Sequence, residues 1–413
     1  MPGALSGLRV LDLSRVLAGP WAAQVFGDLG ADVIKIERPG TGDETRGWGP
    51  PYLKDEAGND TTEAAYFLSA NRNKKSVCVD FTRSEGQRII RELAAKCDIL
   101  LENFKLDGLK QYGLDYPSLK EINPRLIYCS ITGFGQSGPY APRAGYDFLI
   151  QGMGGLMSIT GRKDGEPGAG PQKVGVALTD VLTGLYSVIS VLAALNHRHL
   201  TGEGQHVDLA LLDVQVTSLA NQNMNYLTSG LPPVRMGNAH PNIVPYQDFP
   251  TADGAMIIAV GNDGQFAALC KVLGHPEWAK DERFATNTLR VKHRETIIGL
   301  LSGVTALRPT SDWVKACEGV GVPCGPINDL KAVFDDPHIR ARKLKIEMPH
   351  PTAGTMPLVG SPIRMSATPV EYRLPPPLLG QHTLSVLEEV LGLSRAEIDA
   401  LAENKIVQAQ GLS

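Results

Sequence analysis

Short β-rich runs alternate with helix-patterned segments over the first 130 residues, and this alternation constrains the fold more than any other feature of the chain. The runs cover residues 9–13, 32–37, 77–80, 98–101 and 126–130, with helical periodicity over 21–29 and 84–96. Strands and helices in strict alternation imply parallel strands with helices packed on both faces of the sheet. The expectation is an open, doubly wound α/β domain.

Further along, the apolar stretch 181–195 follows Asp180. At about 15 residues it is shorter than the roughly 20 that cross a bilayer, so it reads as a buried core helix. The segment TGEGQHVDLALLD then gives a glycine turn, another strand and a helix. SGLPPVRMG, at 229–237, reads as a linker into a small α+β unit that opens with the hairpin-like FPTADGAMIIAVGN. GVGVPCGPIND is again turn and strand, and an amphipathic helix over 383–391 follows the extended PPPLLGQHT.

With 40 Lys+Arg against 44 Asp+Glu, the net charge of −4 argues against electrostatically driven nucleic-acid binding. The six cysteines are scattered, with no C-x-x-C and no histidine at metal-ligand spacing, as expected of reduced core thiols in a cytoplasmic protein without a metal centre. The strand-like pattern begins by Leu8, which leaves no room for a signal peptide. No membrane association is expected.

In open α/β sheets, ligands bind beyond the carboxyl ends of the strands. The loops there, 14–20, 38–46, 81–83, 102–105 and 132–138, carry glycines, helix starts and the cation Arg38, which suit a nucleotide phosphate. LAGPWA lacks the G-x-G-x-x-G pattern, and the second strand ends in Glu37-Arg38 instead of a lone acid, so a plain NAD site is disfavoured. Coenzyme A, with its 3′-phosphate, accounts for Arg38 together with Arg72, Lys74 and Lys75 of NRNKKS; a solvated charged turn accounts for NRNKKS equally.

Asp180 is a single carboxylate at the start of an apolar helix. One reading is a helix N-cap. The other is a nucleophile, kept ionised by the helix dipole and stripped of water by its apolar surroundings. TGFGQSGPYAPRAGYD, which leads to Arg143, Tyr146 and Asp147, is either an ordinary glycine loop or a flap over a bound acyl group.

The segments LRVLDLSRVLAGP, GDLGADVIKIERPGTGDETRGWGP, NRNKKSV, ENF, GFGQSGP, AGYD, ALTD, TGEGQ, GVPCGPIN and PPLLGQHT span residues 7–383, and through them the chain resembles the class III coenzyme A transferases. The family includes the formyl-CoA:oxalate and carnitine CoA transferases. NRNKKS, RAGYD, IVPYQ, GVP-x-GPIN and PPPLLGQHT resemble most the members that take CoA from succinyl-CoA to a dicarboxylate such as glutarate. The resemblance implies an interlocked homodimer. It also implies a large Rossmann-like domain built from residues 1–225 and a returning segment 326–413, with a small α+β domain, 226–325, between them.

By position, the resemblance makes Asp180 the nucleophile and places Leu17, Ala18, Arg38, Val79, Asp80, Asn103, Phe104, Arg143, Ala144, Tyr146 and Asp147 along coenzyme A and the acyl group. It implies no permanently bound cofactor, since coenzyme A arrives as part of the substrate. For the distal carboxylate of a dicarboxylate, Arg46, Arg72 and Arg143 are the candidates, Arg72 first, with Tyr66 and His240 as further substrate contacts. Leu17, Ala144 and Gln111 replace a glutamine, a lysine and an arginine of the oxalate enzyme, and HPNIVPYQ stands where that enzyme has a glycine-rich loop. A longer acid than oxalate is therefore expected.

Two alternatives remain. The 2-methylacyl-CoA racemases share the fold but carry His-Asp where this chain has Tyr146-Asp147, and tyrosine, with a pKa near 10, is a poor carrier of an α-proton. A catalytically silent CoA-binding protein is the other.

Overall fold

Seven strands make the central sheet among the described residues, in the order β7-β3-β2-β1-β4-β5-β6. They are β1 (Arg9–Asp12), β2 (Asp32–Glu37), β3 (Lys74–Val79), β4 (Ile99–Glu102), β5 (Ile127–Thr132), β6 (His206–Ala210) and β7 (Val407–Gln408). All pairings are parallel except that of β7, which lies antiparallel on β3. The computed structural model describes residues 2–409.

The chain winds outward from β1 through β2 to β3, then returns to the other side of β1 for β4, β5 and β6. The order thus reverses between β1 and β4, and the crevice beyond their carboxyl ends is where such a sheet binds ligands. Helices α1 (Ala18–Asp28) and α3 (Leu178–Thr201) cover one face through Ala22, Phe26, Val188 and Val191. Helix α2 (Ser84–Ala95) covers the other with Ile89, Ile90 and Leu93, joined there by Val386 and Leu387 of the helix Thr383–Leu391. Both faces of the sheet are therefore buried, which is why β2, β4 and β5 read as nearly continuous apolar runs.

Helix α3 departs from the expectation of a buried core helix. It runs for 24 residues, and by length and composition alone it is long and apolar enough to cross a membrane. Thr183, Gly184, Ser187, Val188, Val191 and Ala194 face inward, while Leu185, Tyr186, Ile189 and Leu192 are exposed on the single chain. A helix packed on one side of a sheet buries one stripe only, and here the opposite stripe is apolar too.

The described residues divide into two compact units: residues 2–156, Val174–Met224 and residues 340–409 form the first, and Met157–Lys173 with Asn225–Ile339 the second. The second unit thus takes in 157–173 and reaches 339, where the sequence reading set limits of 226 and 325. Within it, Arg235 ties down the segment 157–173 by pairing with Asp164 and donating to the Ser158 carbonyl. Three antiparallel strands, Tyr246–Thr251, Gly254–Ala259 and Cys324–Pro326, pack there with helices around Phe249, Phe266 and Trp313, an α+β arrangement.

Candidate active site

A cavity of about 950 Å³ opens in the first unit beyond the carboxyl ends of β1 to β5. The loops after those strands line it through residues 15–18, 41–44, 80–82, 103–106 and 132–133, together with Arg38, residues 143–146 and Asp180. Leu17, Ala18, Arg38, Val79, Asp80, Asn103, Phe104, Arg143, Ala144, Tyr146 and Asp180, scattered over 164 positions of sequence, thus meet around one space. Gln111 lines it as well. Arg46, Tyr66, Arg72, Asp147 and His240 are not in its wall.

Asp180 is not the N-cap. The cap of α3 is Ala177, whose side chain cannot bond, and Asp180 is the third residue of the first turn, half-buried at the cavity wall. Burial, and then the nearby charge of Asp147, push its carboxyl up to about 7. Loss of water is the larger of the two causes, and both disfavour the charged form.

Asp147 performs the capping instead. Its Oδ1 accepts from the backbone N–H of Thr179 at 2.9 Å and of Asp180 at 3.4 Å, and its Oδ2 accepts from Gln151 at 2.7 Å. Thr179 in turn donates its hydroxyl to Gln215 at 2.6 Å. Tyr66 stands near both acids: burial, then the charges of Asp180 and Asp147, push its phenol up to about 12. Its ring meets Trp48 edge-on at 5.1 Å.

NRNKKS is neither a solvated turn nor a phosphate cradle. Arg72 grips buried Asp28, with Nε at 2.9 Å from Oδ1. Lys74 bonds Asp12, the Pro20 carbonyl and Asn71, and Lys75 pairs with Asp32 at 2.8 Å. These residues lead into β3, so they sit at the amino edge of a parallel sheet while ligands collect at the other edge. Arg46 is likewise consumed, by Glu37 on two nitrogens at 2.8 Å each, by Glu63 and by the Pro377 carbonyl. The preference for Arg72 as the distal-carboxylate ligand, and the candidacy of Arg46, are corrected for the same reason: each already holds a buried acid. His240 belongs to the second unit, where it packs on Tyr246.

Asn103 faces the cavity, but its amide is spent on the opposite loop, accepting from Arg15 N–H at 2.9 Å and donating to the Arg15 carbonyl at 2.6 Å. The start of the 133–138 loop is tied to its neighbours. Gly133 packs against the backbone of Gly145, and Gly135 and Gln136 donate their N–H groups to Thr132 and Asp208. Residues 143–146 form the wall there.

Arg38, Lys105 and Arg143 line the cavity and enter no ion pair among the described residues. Arg143 lies over the rings of Phe134 and Tyr140, at 5.1 and 4.6 Å, within three residues of Tyr146. Phe81, Phe104 and Tyr112 form an aromatic group in the cavity wall, with ring centroids 5.8 and 5.7 Å apart, and the Arg15 guanidinium lies over Phe104 at 4.8 Å.

Sequence reasoning passed over Lys35 and Asp43, buried charges in the cavity wall. One signal was available: Lys35 stands among Val33, Ile34 and Ile36 at the centre of DVIKIE.

The sequence pattern of CoA-transferase family III matches residues 5–383. The succinate–glutarate CoA-transferase of Agrobacterium fabrum is 53% identical over 391 residues, covering 95% of this chain and 96% of that protein. The succinyl-CoA:glutarate CoA-transferase of Mus musculus is 46% identical over 404 residues, covering 98% and 90%. Among solved structures, a CAIB/BAIF family protein from Brucella suis superposes with a TM-score of 0.82 at 52% identity, over 94% of this chain and 100% of that one.

Proposed function

Because the chain belongs to CoA-transferase family III, we propose that it moves CoA from succinyl-CoA to a dicarboxylate acceptor, glutarate foremost. The observation that carries this reading is Asp180: a half-buried carboxyl on the wall of a cavity large enough for an acyl-CoA, with a second acid holding its helix turn in place.

In its ionised form the Asp180 carboxylate attacks the thioester carbonyl of succinyl-CoA, forming a succinyl-aspartyl anhydride and releasing the CoA thiolate. The thiolate attacks the Asp180 carbonyl and expels succinate, which leaves an aspartyl-CoA thioester. A glutarate carboxylate attacks that thioester, releases the thiolate and forms a glutaryl-aspartyl anhydride. The thiolate takes the glutaryl group and frees Asp180. Each bond made is matched by one broken, and no net proton is consumed. The raised pKa of Asp180 serves this sequence, since a poorly solvated carboxylate is a better nucleophile than a hydrated one.

Arg38 and Lys105 suit the phosphates of coenzyme A, and the Phe81, Phe104 and Tyr112 rings in the same cavity wall suit its adenine. Leu17, Ala18, Val79 and Asp80 complete that side, while Ala144 and Tyr146 flank the acyl group. With Arg46 and Arg72 committed to buried acids, Arg143 takes the distal carboxylate of the substrate acid. Asp147, bonded to the α3 turn and to Gln151, does not line the cavity, which counts against the racemase.

The bare apolar stripe on α3 supports a homodimer in which a second copy covers it, and interlocking is part of this reading. Six free cysteines support a cytoplasmic setting.

Mass spectrometry of the CoA esters formed from succinyl-CoA with glutarate, oxalate, malate, itaconate or carnitine tests the function. Glutaryl-CoA is the expected product. Persistence of succinyl-CoA in every tube, with deuterium uptake into a 2-methylacyl-CoA, would replace the transferase by the racemase.

A further inference from the structure

The corner that joins β1 to α1 is held in a conformation its own residue disfavours. Val16 has φ +70°, and among the described residues it is the one β-branched side chain with a positive φ. A branched Cβ in the left-handed region is a genuine outlier, and such strain persists only where the surroundings impose it.

The surroundings do so with side chains from four other places in the chain. Ser14 N–H donates to Asp12 at 3.0 Å and the Ser14 carbonyl accepts from Lys35 Nζ at 2.8 Å. Both backbone groups of Arg15 are held by Asn103. Val16 N–H donates to both oxygens of Asp43 at 3.3 Å. Lys35 and Asp43 pair at 2.9 Å with neither side chain exposed. Burial pushes the Asp43 carboxyl up, but Lys35 and the Thr45 hydrogen bonds outweigh it and hold it at about 2.

The residues next in line are Leu17 and Ala18, the cap and first residue of α1, and both line the cavity. Here α1 meets the first turns of α3: a Cβ on Gly184, one turn beyond Asp180, would come within 2.7 Å of the Ala18 carbonyl oxygen. The position of the α1 start therefore sets the wall that faces Asp180.

We propose that the Lys35–Asp43 pair is a positioning device for the acyl-transfer reaction, holding Val16 in its left-handed conformation and thereby fixing the start of α1 against the helix that bears Asp180. A buried ion pair adds little to stability by itself, so its cost is better explained by the geometry it imposes. The proposal rests on the transferase reading.

The test replaces both charges at once, Lys35→Met with Asp43→Asn, which leaves no unpaired buried charge. The expected result is a folded protein whose kcat falls at least tenfold while KM for the acyl-CoA stays within threefold. Adding Val16→Gly, which adopts the same φ freely, is expected to recover most of the lost kcat. A kcat within threefold of the parent overturns the proposal, and so does a loss that Val16→Gly does not repair. If the double variant does not fold, Val16→Gly alone decides: a higher melting temperature supports a corner held against its preference, and an unchanged or lower one overturns it. The unaltered chain assayed in parallel separates the two readings, since its failure to exchange acyl groups counts against the transferase and leaves the melting test of the corner standing.

Discussion

Asp147 Oδ1 receives the backbone N–H of Asp180 at 3.4 Å, so one acid anchors the helical turn on which the other is displayed. The same proximity places two negative charges together. It therefore serves structure and tunes chemistry at once, raising the Asp180 pKa beyond what burial does alone.

The pH dependence follows from this pair. Asp180 must be ionised to attack, so kcat/KM is expected to rise with pH up to about 7 and level off above it. Asp147→Asn removes the like charge while keeping an oxygen for the Thr179 N–H. The acid limb of the kcat/KM profile should move to lower pH, with a stability loss of about 1 kcal/mol or less.

Asp180→Asn should lower turnover by roughly 10³-fold or more and abolish the aspartyl-CoA adduct seen by intact-protein mass. Its effect on stability has a sign. The folded Asp180 pKa of about 7 lies above its ordinary 3.8, so the parent loses stability at this site as pH climbs from about 4 through 7. The asparagine does not, and denaturant midpoints at pH 5 and pH 8 should show the variant gaining on the parent at the higher pH.

Gly184→Ala probes the α1–α3 contact. The added methyl would sit 2.7 Å from the Ala18 backbone oxygen, which cannot rotate away. A loss of about 1–3 kcal/mol in chemical unfolding is expected, with kcat reduced because the turn carrying Asp180 shifts.

Arg72→Ala separates a structural arginine from a substrate ligand. It leaves Asp28 buried without its bidentate partner, at a cost of roughly 3–5 kcal/mol. At a temperature where the variant stays folded, KM for both substrates should match the parent.

Arg143→Ala should behave in the opposite way. Loss of a charge-assisted hydrogen bond, about 1.5–3 kcal/mol, raises KM for the dicarboxylate roughly 10- to 100-fold with little change in melting temperature. A monocarboxylic acceptor should be affected much less, which steady-state kinetics on matched acids will measure.

What could be read in advance divides along the distance over which each property is encoded. The strands at 32–37 and 126–130, the helix at 84–96 and the carboxyl-edge location of the loops came from patterns within a dozen residues, and the structure has them close to those places. Asp180 was legible as a lone acid in an apolar run. The charged residues misled because a sequence displays charge but not its partner. Arg72 is answered by Asp28, 44 positions away, and Lys74 by Asp12, 62 positions away. Nothing local distinguishes those cations from Arg38 or Arg143.

The sequence by itself determined the alternation of strand and helix, hence a parallel sheet with a ligand crevice at its carboxyl edge, and a lone acid at the head of a long apolar helix. Only the tertiary structure decided which cations remain available to a substrate, which acid caps the α3 turn, and which residue bears the strain at the cavity wall. The reason is physical: periodicity is a property of neighbouring residues, whereas the charge state and hydrogen bonding of a buried group depend on what distant segments bring against it once water is gone.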